Sequence, residues 1–273
     1  MDELDGSRDV EELADAYIHR PLARPLVRLL TDTAITPDHV TGLSGAIGFA
    51  GAVAIALGAR APVFFIAAAA LGLGSAVLDC ADGQLARARG HSSPHGAALD
   101  GYMDSLVGVT TVAAATVAAA HVYRGNIWLL GFGALCSWFV QCFLFDAMKE
   151  RYLSGLGVSH DASKLAMAAR REAGETFGRA ATSRDPRAGT FDDYASAIRR
   201  AMSFLPAMTD SAGTKGRMRL WTYLGLGTHV AVAYGAALLA AVWPAAISAL
   251  LLAYLYPMNA LLVFLLVAEA IPA

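Results

Sequence analysis

Asp79 and Asp82 stand three residues apart, and Asp100 and Asp104 stand four apart, so on helices each pair projects from one face. The first pair closes an apolar block and the second opens the next, which places four carboxylates at a membrane boundary. One charged carboxylate at a bilayer centre costs about 2.5 to 3.5 kcal/mol; four near the edge carry a smaller burden that mutual repulsion increases. A cation is the simplest compensation. All-oxygen ligands suit Mg²⁺, Mn²⁺ or Ca²⁺, and no His or Cys stands at a spacing that recommends zinc. Four carboxylates also suffice to hold two metals about 4 Å apart, the arrangement that clamps the attacking and leaving oxygens of a phosphoryl displacement.

The neighbours of these acids point the same way. Gly83 and Gly96 remove side chains where a bulky ligand would approach the backbone, and Ala86 keeps the next turn slim. Arg87 falls on the face of Gly83, four residues on, and offers a guanidinium fork to a phosphate. Close helix packing is the competing explanation for the glycines taken alone.

The elements that must position these groups are membrane spans. Hydrophobic residues make up 56% of the 273 and charged residues 16%. Charge is absent from Val40 to Ala59, Ala61 to Leu78, Ser105 to Tyr123, Gly125 to Phe145 and Leu220 to Ala268, where about 20 apolar residues suffice for one span. The last block holds two, divided at Trp243-Pro244, because proline lacks an amide hydrogen and disfavours helix in the residue before it. The expectation is an all-α bundle of six transmembrane helices. Of 21 Lys and Arg residues only Arg60 and Arg124 follow spans one and three, so the other side is read as cytoplasmic, with the acids and both termini on it. The first 30 residues lack the apolar core of a cleaved signal, and the N-terminus is expected to be retained.

Outside the spans, Asp9 to Thr31 reads as an interfacial helix, with a cytoplasmic helix covering the bundle as the alternative; Arg20, Arg24 and Arg28 recur at intervals of four, and Pro21 and Pro25 argue for an interruption. Thr36-Pro37 reads as the capped start of span one. Residues 1–36 are thus an N-terminal segment, and 37–273 one membrane domain with a helical cytoplasmic insertion at 146–219. Helices are expected there at Ala162 to Ala181 and Asp192 to Phe204, with a turn at Thr182 to Gly189. Cys80, Cys136 and Cys142 read as small buried residues without a disulfide framework. The net charge of -2 gives no reason to expect a nucleic-acid partner.

The pattern D-x-x-D-G-x-x-A-R-x(8)-G-x-x-x-D-x-x-x-D, complete from Asp79 to Asp104, resembles the signature of the CDP-alcohol phosphotransferase (phosphatidyltransferase) family. The likeness extends to six spans, to a signature bridging spans two and three, and to Thr-Pro-Asp-x-x-Thr before span one; the loop 146–219 is not obviously covered. The resemblance implies that Asp79 and Asp100 bind both of two Mg²⁺ or Mn²⁺ ions, Asp82 one and Asp104 the other, with Asp104 also the base. It implies that Gly83, Arg87 and Ser93 contact a CDP-alcohol donor, with Pro37, Asp38 and Thr41 near the nucleotide. An acceptor hydroxyl would attack the donor and CMP would leave. Family members are commonly homodimers, and the plasma membrane is the expected site.

Basic residues flanking spans four and five, Lys149, Arg151, Arg217 and Arg219 (with Lys215), are candidates for a phosphate on the acceptor, although positive-inside topology alone would put charge there. The donor is CDP-diacylglycerol or a soluble CDP-alcohol, with lipid synthesis favoured over an inositol phosphodiester. A cation transporter would need its acids at mid-span. A prenyltransferase would space them D-x-x-x-D twice.

Overall fold

The computed structural model describes residues 9–90, 94–123, 125–156 and 212–270. Every regular element among them is helical. Ser93, His91 and the expected helices and turn of the 146–219 insertion lie outside the described residues.

Asp15–His19 forms one π-helical turn that runs directly into α1, Arg20–Leu30. The interruption expected at Pro21 and Pro25 does not occur. The helix runs on through both, with the wider π-turn just before Pro21, and each proline removes one backbone donor. Ala23 and Val27 bury one face of α1 against Val40, Ala81 and Leu85.

Helix α2, Pro37–Leu57, starts as expected. Thr36 is extended and its hydroxyl accepts from His39 N, while the His39 ring accepts from Thr36 N at 3.2 Å. This reciprocal cap satisfies two otherwise orphaned donors. Helix α3, Pro62–Ala88, extends ten residues beyond the apolar block that ends at Leu78. Gly90, at φ 66°, terminates it in the left-handed conformation that glycine adopts freely. Helix α4, Pro94–Ala119, returns antiparallel, and α5 spans Ile127–Gly155.

Small residues let α2 approach α3 and α4 closely, as membrane helix interfaces require. Ser44 and Ser75 donate to each other's backbone carbonyls at 3.0 Å. A Cβ at Gly48 would lie 2.8 Å from both Ser75 Oγ and Val107, and one at Gly108 would lie 2.1 Å from the Trp138 ring.

The C-terminal half holds α6 (Ala212–Trp221), a 3-10 turn at Thr222–Leu224, α7 (Leu226–Ala240), α8 (Ala246–Leu255) and α9 (Pro257–Ala270). Trp243-Pro244 falls in the break between α7 and α8, as the sequence leads one to expect. Tyr256-Pro257 makes a second, shorter interruption by the same physics, although 246–270 still reads as one span. Among the described residues five helices are long and apolar enough to cross a membrane, and six if the pair 213–224 and 226–240, bent by 46°, is one span. A buried network ties this half together. Gln141 Nε2 donates to Tyr254 O (2.9 Å) and Asn259 Oδ1 (2.7 Å), its Oε1 meets His229 Nε2 at 2.9 Å, and Tyr254 OH donates to His229 O at 2.8 Å.

The three cysteines are unpaired, as expected, but Cys136 is exposed and Cys80 and Cys142 only partly buried. Burial fails as an expectation because an all-apolar helix has an outward face that membrane lipid, not protein, would cover.

Candidate active site

The last turns of α3 carry Asp79 and Asp82, and the first turns of α4 carry Asp100 and Asp104. The antiparallel return superimposes the two pairs. One carboxylate oxygen from each of Asp79, Asp82 and Asp100 lies within 4.8 Å of the others. The Asp79 carboxyl also meets those of Asp104 and Asp100 in hydrogen-bonding contact. Two carboxylates sustain such an approach only with a proton or a cation between them. Asp82 is 5% exposed; its Oδ2 accepts from Thr41 Oγ1 and its Oδ1 from Gly83 N. Asp100 Oδ1, by contrast, is buried with no hydrogen-bond partner among the described residues. A buried acceptor left unpaired in a native site needs a reason, and a hard cation supplies one for this all-oxygen set.

Asp79, Asp100 and Asp104 line a cavity of about 390 Å³. Asp82 stands behind them, held by Thr41. Thr41, expected near a nucleotide, therefore also fixes an acid, with its hydroxyl 3.2 Å from Pro37 O. Gly83, Ala86 and Arg87 continue α3 beyond Asp82, while Pro37 and Asp38 form the first turn of α2; Gly96 lies in the first turn of α4. A Cβ at Gly83 would be 3.3 Å from Arg87 Nη1, so the guanidinium folds back over the glycine, as their spacing of four suggests.

The four basic candidates separate. Lys149 lines the cavity, its Nζ 5.9 Å from the centre of the Phe145 ring. Arg217 Nε is 3.1 Å from Glu269 Oε1 and Arg219 Nη2 is 3.1 Å from Asp9 Oδ1. Arg151, on the last turns of α5, is not among the cavity-lining residues.

Several residues here escape a reading of the sequence. Arg89, just past α3, donates to the carbonyls of Thr31 (3.1 Å), Thr33 (2.9 Å), Ile35 (2.6 Å) and Leu30, gathering the whole α1–α2 connection. Glu12, Asp15 and His19 reach the cavity from the N-terminal segment. His19 is fully buried, with Nδ1 2.8 Å from Asp15 Oδ1 and Nε2 3.3 Å from Tyr234 OH. Asp15, His19 and Cys80 also offer one ligand atom each within 4.8 Å, a juxtaposition that linear spacing did not reveal, although both ring nitrogens of His19 already have partners. Glu12 Oε2 accepts from Thr228 N at 2.8 Å, in the first turn of α7, where helix donors lack intrahelical partners. Burial, reinforced by the neighbouring charge of Asp15, pushes its carboxyl up from the usual 4.5 to about 7. The Asp15-x-x-x-His19 spacing was the only local hint of this group.

Residues 34–169 match the family model of the CDP-alcohol phosphatidyltransferases. The chain carries a CDP-alcohol phosphatidyltransferase domain. This phosphatidyltransferase match opens just before the Thr36 cap, contains the whole aspartate signature and ends inside the 146–219 segment. The family transfers phosphatidyl-type groups from CDP-alcohols to alcohols and uses divalent metals, which the acidic cluster suits. No curated protein matches the chain as a relative. Glu12, Asp15 and His19 precede the matched stretch, and Gly227 and Tyr234 follow it, yet all face the same cavity as its aspartates.

Proposed function

We propose that the protein transfers a substituted phosphate group from a CDP-alcohol, CDP-diacylglycerol in the first instance, to an acceptor alcohol, releasing CMP in the synthesis of membrane phospholipid. The convergence of Asp79, Asp82 and Asp100 around the unpartnered Asp100 Oδ1, within the family's matched stretch, carries this reading. Two Mg²⁺ or Mn²⁺ ions held by Asp79, Asp82, Asp100 and Asp104 would neutralise the donor diphosphate.

Asp104 takes the proton from the acceptor hydroxyl as its oxygen bonds to the phosphorus on the alcohol side of the diphosphate. The bond from that phosphorus to the bridging oxygen breaks, and CMP departs with the electron pair. Arg87 forks onto a donor phosphate, Gly83 and Gly96 leave room for it, Ala86 keeps the approach slim, and Ser93 adds a hydroxyl. Pro37, Asp38 and Thr41 border the nucleotide, Thr41 acting also through Asp82. Since the attack is direct, no enzyme nucleophile is required.

The surrounding assignments follow from the same reading. Residues 37–273 form one six-span unit with its active site and both termini on the cytoplasmic side of the cell membrane. The 1–36 segment lies at the interface, where exposed Leu22 and Leu29 of α1 meet lipid. The enzyme acts as a homodimer.

The test is incubation of purified protein with Mn²⁺ or Mg²⁺, a panel of CDP-alcohols and a panel of alcohols, read as CMP release. Release above that of an Asp104→Asn control is expected with CDP-diacylglycerol. If no pair exceeds the control, the transfer reading fails.

A further inference from the structure

We infer that the acceptor is an unphosphorylated alcohol whose remaining polar groups are hydrogen-bond donors, and that Glu12 and the Asp15–His19–Tyr234 chain select it. This rests on the transfer reading above and names its acceptor class.

The wall of the cavity supplied from outside the family match is built for donors. Glu12 and Asp15 reach it because α7 opens with two glycines. A Cβ at Gly225 would lie 2.3 Å from Glu12 Cδ, and one at Gly227 would lie 2.5 Å from Asp15 Oδ1, so any larger residue there would push the acids away. The bond from Thr228 N holds Glu12 at the positive end of the α7 dipole. Asp15 orients the His19 ring, and the ring in turn meets the Tyr234 hydroxyl. These groups share one cavity with Asp79, Asp100 and Asp104, so an alcohol resting on them presents a hydroxyl to the reacting end.

Charge argues for the same class. Beyond the signature aspartates the cavity carries Glu12, Asp15 and Asp146, against Lys149, its one Lys or Arg among the described residues. A doubly charged phosphate ester would meet Asp15 and the Glu12 carboxyl with one lysine ammonium opposite, whereas hydroxyl or ammonium groups would be bound by those two side chains. Two of the arginines that the sequence offers for such a phosphate are ion-paired, Arg217 with Glu269 and Arg219 with Asp9.

The experiment uses the full-length protein in detergent with Mn²⁺ and CDP-diacylglycerol, comparing glycerol with glycerol 3-phosphate and inositol with inositol phosphate. The free polyol is expected to exceed its ester in kcat/KM by about tenfold or more. Glu12→Gln and His19→Gln should raise the acceptor KM about tenfold while leaving the donor KM and the Mn²⁺-induced rise in Tm unchanged. Tyr234→Phe, which removes one oxygen and keeps the ring, should raise acceptor KM too and guards against misfolding of the other two. Preference for the phosphate ester, or equal changes in donor and acceptor KM across the variants, overturns the inference while leaving the transferase standing. Absence of CMP with every alcohol overturns the transfer reading and this one together.

Discussion

Two groups of acids meet in one cavity, and they are held in opposite ways. Glu12 and Asp15, in the N-terminal segment, are answered by protein: Thr228 N for one, the His19 ring for the other. Of the signature aspartates, Asp82 is also held by Thr41 and Gly83 N, but Asp79 and Asp104 answer to neighbouring acids, and Asp100 Oδ1 to nothing among the described residues. A buried acid with protein partners can keep its place unaided, whereas crowded acids without them need an added cation to stand together. On the proposed reading, carboxylates thus serve fixed recognition on one wall and metal binding on the other.

The strongest way to break this contrast is to remove one signature acid. Asp104→Asn should lower CMP release by about 10²- to 10⁴-fold, the range of a lost general base, with metal-dependent donor binding preserved. Asp79→Asn should lose both, and equal binding loss in the two variants would erase the division of roles. Chelation is next. EDTA should bring turnover to background, and restored Mn²⁺ should raise the Tm of the wild type but not of Asp100→Asn, since binding to the folded state alone is what stabilises it. No effect of metal on either would undo the contrast from that side.

The protein-held acids should respond to packing instead. Gly225→Ala places a methyl 2.3 Å from Glu12 Cδ and should destabilise the protein by about 1 to 3 kcal/mol in denaturant unfolding, with or without Mn²⁺. The smallest effect concerns pH. The Glu12 carboxyl is raised from 4.5 to about 7, so folding favours its protonated form. Its stabilisation is complete below about 4.5 and is lost as pH climbs to about 7, because burial and the charge of Asp15 disfavour the ionised carboxylate more than the bond from Thr228 N and the charge of Lys149 favour it. Glu12→Gln should flatten that segment of the stability profile; an unchanged slope would show that Glu12 is not its source.

What could be read from the chain, and what could not, follows the range of the forces involved. The aspartates declare themselves through spacings of three and four within single helices, and the Thr36 cap through three consecutive residues. Trp243-Pro244 marks a helix break by chemistry local to one bond. Glu12 and His19 stand some sixty residues before Asp79 and over two hundred before Thr228 and Tyr234. Nothing in the intervening sequence signals that the helix packing would bring them together. The continuity of α1 through Pro25 was hidden for a different reason: the cost of proline depends on which turn it occupies, and that depends on where the π-turn begins.

Arg89 fastens the α1–α2 connection to the end of α3 through four carbonyls, two of them at or beside the end of α1 and two in the link that follows. A guanidinium has a rigid fork and little freedom once its donors are spent. The first turn of α2 and the N-terminal helix are thereby geared together: neither can swing outward without dragging the other. Outward movement of the first turn of α2 is therefore movement of the whole clasped unit, resisted by one side chain seven residues past Asp82.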